Sequence, residues 1–136
     1  MLLEKQNKSS QQVKVLLVED DQVDQFLIRK RLEDILPHHN LESATSIAQA
    51  YNAHKKQNFD LILLDLNLPD GFGAKTVKRI RQYDQKIPII VITGLGSNVA
   101  VSEALKLGAN NVVLKSQIQG EDFCNIVQQN LHEDYF

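Results

Sequence analysis

The chain has 136 residues, 43% of them apolar, and a formal net charge of -2. That length suits one domain able to bury about two thirds of its unfolded surface, and the composition argues against disorder. Near-neutral charge gives no field for nucleic acid, no apolar run nears the ~20 residues that span a membrane, and a single cysteine rules out an internal disulfide framework and suits a reducing cytoplasm.

Residues 1–12 are polar and aperiodic and read as a flexible tail; the short apolar start Met1-Leu2-Leu3 is no secretory signal. From Val13 onward strand and helix patterns alternate. Val13–Val18 reads as a strand, and Val23, Phe26, Leu27, Leu32, Ile35 and Leu36 recur at helical spacing until Pro37 closes the helix, with Asp21 as a candidate cap. A weak strand follows at Leu41–Ala44, then a helix carrying Ile47, Ala48, Tyr51 and Ala53, capped by Thr45 or Ser46. Leu61–Leu64 is an unbroken apolar strand, and Ala74, Val77 and Ile80 mark a third helix. Ile87–Ile92 is the fourth strand. Its helix carries Val99, Val101, Ala104 and Leu107, with Ser97 as cap and Gly108 as stop. Asn111–Leu114 and a helix carrying Phe123, Ile126, Val127 and Leu131 complete the pattern, and the chain ends soon after, so no second domain is expected. Five βα units predict a doubly wound α/β fold, a five-stranded parallel sheet covered on both faces. Ligands of such sheets collect beyond the carboxyl ends of the strands, where strand order reverses.

Polar residues stand at just those ends. Asp65 follows Leu61–Leu64, Glu19 and Asp20 follow the first strand, Thr93 follows Ile89–Ile92, and Lys115 follows Val112–Leu114. Each has a plainer reading: Glu19-Asp20-Asp21 as a solvated cluster, Asp65 as a turn residue before Pro69-Asp70-Gly71, Thr93 as a β-branched strand residue, Lys115 as surface. Taken together they favour chemistry. Clustered carboxylates raise one another's proton affinity, and a divalent cation relieves this. Magnesium takes hard oxygen ligands, which Glu19, Asp20, Asp65 and the backbone carbonyl of Asn67 would offer. Asp65 could then act as a nucleophile toward a phosphoryl group, with Lys115 offsetting charge and Thr93 donating a hydrogen bond to a phosphoryl oxygen, where Gly94 leaves room. Gly94-x-Gly96 lacks the third glycine of a dinucleotide fingerprint. His38-His39 reads as loop, and His54, His132 and Cys124 show no zinc spacing.

With these residues in hand, the chain resembles the receiver domains of bacterial response regulators across about residues 13–133. The motifs are Val18-Glu19-Asp20-Asp21, Leu64-Asp65-Leu66-Asn67-Leu68-Pro69-Asp70-Gly71, Pro88 through Thr93-Gly94, and Gly108-Ala109 through Lys115. The resemblance implies a flavodoxin-like (βα)₅ receiver domain over 13–136 with strand order 2-1-3-4-5. It implies Asp65 as phosphoacceptor, Glu19 and Asp20 as magnesium-site acids, Thr93 as switch hydroxyl and Lys115 as phosphate-binding amine. The donor would be a phosphohistidine on a sensor histidine kinase or phosphotransfer protein. The signal would leave through the face of the fourth helix, fifth strand and fifth helix, toward a separate effector protein or a second copy of the chain. That is a cytoplasmic switch rather than an enzyme, with at most self-phosphorylation and self-dephosphorylation, and with no direct nucleic-acid or membrane partner.

Val112 stands where many receivers have an aromatic, so an aromatic swing coupled to Thr93 is not expected. Ser116 stands where many have proline, and a cis bond there would cost about 3 kcal/mol. Glu19 replaces the more frequent aspartate. The resemblance also implies that the side chains two past Asp65 and two past Thr93, here Asn67 and Leu95, flank the path of an attacking water; Leu95 cannot hydrogen-bond it, which predicts slow self-dephosphorylation. The rival readings are a magnesium-dependent aspartate-nucleophile phosphohydrolase, a flavodoxin-like cofactor binder, and a scaffold that keeps the site unphosphorylated. Against the first, Asp65-Leu66-Asn67 lacks the second acid of Asp-x-Asp; against the second, Glu19-Asp20-Asp21 would repel a phosphate.

Overall fold

The computed structural model describes residues 12–94 and 96–131. The tail expected over 1–12 lies outside them except for Gln12, as do Leu95 and His132. Five parallel strands form one sheet: β1 (Val13–Val18), β2 (His39–Ala44), β3 (Leu61–Leu64), β4 (Ile89–Thr93) and β5 (Asn111–Leu114), in the order β2-β1-β3-β4-β5. The helices are α1 (Gln22–Ile35), α2 (Ile47–Lys56), α3 (Lys75–Arg81), α4 (Asn98–Lys106) and α5 (Glu121–Gln129). The expected doubly wound topology is therefore the observed one.

Strand alternation divides the core into two layers. Leu16, Val18, Ile62, Leu64, Ile89 and Val91 face Ala50 of α2, Val77 and Ile80 of α3 and Ala104 of α4. Val15, Leu17, Leu61, Leu63, Ile90 and Ile92 face Ile28, Leu32 and Ile35 of α1 and Phe123 and Val127 of α5. Because both faces are covered, the inner strands must be apolar at every position, which is why β3 and β4 read as continuous runs. Each fully buried Leu or Ile contributes roughly 1.5–3 kcal/mol relative to exposure.

Local chemistry sets the ends. Asp21 caps α1, its Oδ1 accepting from the Asp24 N–H at 2.9 Å. Ser46 is the cap of α2, its Oγ accepting from Gln49 N–H at 3.0 Å, while Thr45 donates from its N–H and its hydroxyl to Gln49 Oε1, both at 2.8 Å. Ser97 caps α4 through Ala100 N–H, and Gly108 stops it at φ +120°, a conformation that suits glycine. The guanidinium of Arg81 donates from Nε and Nη2 to the Gly108 carbonyl at 3.0 and 2.7 Å, tying α3 to the end of α4.

Several details differ from the sequence reading. β4 begins at Ile89 rather than Ile87, because Pro88 has no N–H for the ladder; its carbonyl still accepts from Ile62 N–H at 2.9 Å. β2 begins at His39, so His39 is strand rather than loop, paired in register with Val13. Asn67–Leu68 and Gly71–Phe72 pair as a short antiparallel hairpin. At its turn Asp70 accepts from the N–H groups of Ile47 and Ala48 at 2.8 and 3.0 Å, binding the turn to the first turn of α2. Of the apolar residues that marked the first helix, Leu32, Ile35 and Leu36 are buried, while Val23, Phe26 and Leu27 are exposed. No cis peptide occurs among the described residues, so Lys115–Ser116 is trans. No helix among them is long and apolar enough to cross a membrane.

Candidate functional site

β1 and β3 are neighbours whose chains leave for opposite directions in the sheet, α1 leading to β2 and α3 to β4. Their carboxyl ends frame the crevice that such a reversal opens. The ladder runs one residue past each strand: Glu19 N–H donates to Ala44 O and Asp65 N–H to Val18 O, both at 2.9 Å. That regular continuation aims Glu19 and Asp65 into the same crevice. One carboxylate oxygen from each of Glu19, Asp20 and Asp65 lies within 4.8 Å of the others. Glu19 and Asp65 are buried, at 1% and 5% exposure, while Asp20 is exposed.

The compensating charge arrives from the far end of the chain. Lys115 follows β5 and opens a 3₁₀ turn, Lys115–Gln117. Its Nζ lies 2.7 Å from Glu19 Oε1, 2.7 Å from Asp24 Oδ2 and 3.5 Å from Asp65 Oδ2. The lysine that sequence reasoning paired with Asp65 therefore sits closer to two other acids. The contact with Asp24 is one that reading missed; an acid in the first turn of a helix has a ready explanation in the helix dipole, and its spacing carries no sign that it turns inward.

The balance of charges is uneven. Burial is the main influence on Glu19 and pushes its carboxyl up to about 7, against the pull of Lys115 and of the Asp21 N–H that donates to Oε2 at 3.1 Å. Burial also works against the Lys115 charge, but the contacts with Asp24 and Glu19, helped by Asp65, outweigh it and hold the ammonium above its ordinary value. Glu19 Oε1 meets Lys115 as an ion contact and accepts no directed hydrogen bond. A buried carboxylate oxygen with that unused capacity, beside two more acids, is a donor set that fits a hard divalent cation.

Asp65, Asn67, Thr93, Gly94 and Lys115 line one cleft of about 750 Å³, whose wall also carries Phe72. Thr93 is buried at the end of β4, in register with Leu114. Apart from its chain neighbours, a Cβ added to Gly94 would meet nothing nearer than Lys115 Cδ at 4.0 Å, so there is room at Gly94. Val112, partly buried, pairs with Val91. Of the remaining candidates, His54 Nε2 lies 2.8 Å from Asp84 Oδ2, His39 Nδ1 contacts Leu36 O at 2.6 Å, and Cys124 is partly buried in α5.

A five-stranded parallel sheet with acids, a lysine and a threonine gathered at its reversal point defines a receiver of two-component signalling. The chain belongs to the response regulator receiver domain family, whose model matches residues 15–128. It is 36% identical over 104 residues to the transcriptional regulatory protein KdpE of Staphylococcus aureus, a match covering 76% of this chain and 44% of that protein. It is 30% identical over 105 residues to the chemotaxis protein CheY of Thermotoga maritima, covering 75% of this chain and 84% of that one. In fold it resembles a CheY-like receiver domain protein from Methanospirillum hungatei, with TM-score 0.78 at 22% identity over 91% of this chain and 97% of the other. The chain thus spans less than half the length of KdpE and most of the length of CheY.

Proposed function

We propose that this chain is a phosphorylation-dependent signalling switch with Asp65 as the phosphoacceptor. The observation that carries the reading is the gathering of Glu19, Asp20 and Asp65 oxygens within 4.8 Å, with the Lys115 ammonium 3.5 Å from Asp65. The donor is a phosphohistidine on a sensor histidine kinase or phosphotransfer protein. An Asp65 oxygen bonds to phosphorus as the P–N bond breaks, and the electron pair stays on the imidazole nitrogen, which takes a proton from solvent. Glu19, Asp20, Asp65 and the Asn67 carbonyl would hold magnesium, which supplies charge neutralisation for the transferring group. Lys115 offsets the remaining charge, and Thr93 moves to donate to a phosphoryl oxygen in the space beside Gly94.

The consequence is a shift between two arrangements of the segment after Thr93 and of α4. Val99 and Leu105 of α4 are exposed apolar residues, which suits the α4–β5–α5 face to a separate effector protein. This is a switch in the sense of a bound phosphoryl group with a lifetime, with no turnover of a small substrate. Asn67 in place of a second acid favours it over the phosphohydrolase reading.

The deciding measurement is an amide spectrum before and after magnesium plus beryllofluoride, a phosphoryl mimic. Shifts at Asp65, Thr93 and Lys115 and along α4 and β5 are expected; a spectrum that does not change removes the proposal. The lifetime of the adduct is a separate expectation. Leu95→Gln should shorten it several-fold by giving water a hydrogen-bonding partner, and an unchanged half-life counts against the role assigned to Leu95.

A further inference from the structure

The Lys115–Asp24 contact is not accounted for by the switch chemistry above. An ammonium has three N–H donors and makes its strongest contacts with carboxylates at about 2.7–2.9 Å. Lys115 meets that length at Glu19 and Asp24, each at 2.7 Å, and falls short of it at Asp65, at 3.5 Å. The Asp24 contact is a directed hydrogen bond across 91 residues of sequence, with both side chains largely shielded, at 29% and 23% exposure.

Asp24 is also held where it is. Its N–H is taken by the cap Asp21, and the next residue, Gln25, donates from Nε2 to the Glu19 carbonyl at 2.6 Å. Further along α1, Ile28 and Leu32 are fully buried on the sheet. Arg31 donates from Nε to Ile118 O at 2.6 Å and from Nη2 to Gly120 O at 3.1 Å, joining α1 to the segment just past Lys115. Helix and lysine loop are thus clamped together, so the contact is built in rather than a chance meeting of two long surface side chains.

We propose that Asp24 is a positioning residue that holds Lys115 in the resting protein and draws its ammonium away from Asp65, so that the site grips a phosphoryl group less tightly than its other residues allow. The inference rests on Asp65 as phosphoacceptor. A phosphoryl group on Asp65 carries nearly two negative charges where the carboxylate carried one, and its oxygens call on the same ammonium. Lys115 must then give up or lengthen its bond to Asp24, and that loss is subtracted from the binding of the phosphoryl group.

Two measurements test it. In protein labelled with ¹⁵N-lysine, Asp24→Asn should shift the Lys115 ammonium resonance with no ligand present, and Asp24→Glu should restore it toward the original position. Titration with beryllofluoride at saturating magnesium should then show Asp24→Asn binding the mimic roughly three- to tenfold more tightly, the worth of a partly shielded charged hydrogen bond, with Asp24→Glu close to the unmodified chain. Amides in β3 and α5 that stay in place confirm an intact fold. An ammonium signal indifferent to Asp24→Asn overturns the holding role, and affinity that is unchanged or weaker overturns the consequence drawn from it. If the unmodified chain shows no response to beryllofluoride, the phosphoacceptor reading fails instead, and the ammonium measurement still decides whether Asp24 holds Lys115.

Discussion

Asp65→Asn should take up no phosphoryl group. Incubated with acetyl phosphate and magnesium, the unmodified chain should gain the mass of one phosphoryl group, labile to mild base, and the variant should remain at its starting mass. The amide is nearly isosteric with the carboxylate but is not a nucleophile toward phosphorus, so the loss is chemical rather than structural. Asp65 is almost fully buried at the lip of β3, where its N–H keeps the ladder bond to Val18 O whatever the side chain. Removing one of three crowded acids also relieves repulsion, so the variant should fold at least as well as the parent. Uptake that persists in Asp65→Asn would move the acceptor elsewhere and undo the assignment.

Glu19→Gln should stabilise the metal-free protein at pH 8 while weakening its hold on magnesium. Burial, the main cause, raises the Glu19 carboxyl from 4.5 to about 7, so between those values the folded chain keeps a proton that the unfolded chain has released. Stability from this group is therefore greatest near and below pH 4.5, falls as pH rises toward 7, and stays low above it. A glutamine carries no charge to desolvate, and its carbonyl oxygen can still accept from Asp21 N–H. The gain expected at pH 8 is about 1–3 kcal/mol, read as a higher melting temperature, together with a flatter profile between pH 5 and 7.5. Magnesium should raise the melting temperature of the unmodified protein and do so much less in the variant, since one of the grouped oxygens has lost its charge. A variant less stable than its parent at pH 8 would mean that the Lys115 contact outweighs burial, and would reverse the account of the site's charge balance.

These two expectations share a cause. The crevice collects negative charge that the fold alone does not neutralise, since one ammonium faces Glu19, Asp24 and Asp65. On the proposed reading, stability is given up at the point where a cation and a phosphoryl group would be received, and their binding should restore it.

Much of this was legible in the amino-acid order because it depends on neighbours in sequence. A strand covered on both faces must be apolar at every position, so Leu61–Leu64 declared itself, and with it Asp65 at its end. Five such βα units leave few right-handed topologies, so the convergence of Glu19, Asp20, Asp65 and Lys115 followed from their places at strand ends. Ser46, Ser97 and Gly108 set helix ends by local hydrogen bonds and backbone freedom.

What tertiary structure alone decided depends on long-range contacts. His39 joins the sheet because the backbone of β1 offers it a ladder, whatever the polarity of its side chain. The Asn67–Phe72 hairpin is too short to show a period. Val23, Phe26 and Leu27 share helical spacing with Leu32 and Ile35, yet the rotation of α1 on the sheet leaves them exposed. That same rotation turns Asp24 toward an ammonium 91 positions away. Period and composition act over a few residues and specify which elements form and what stands at their ends; the angle at which a helix settles on its sheet is set by packing over the whole core, and it decides which acid the lysine meets.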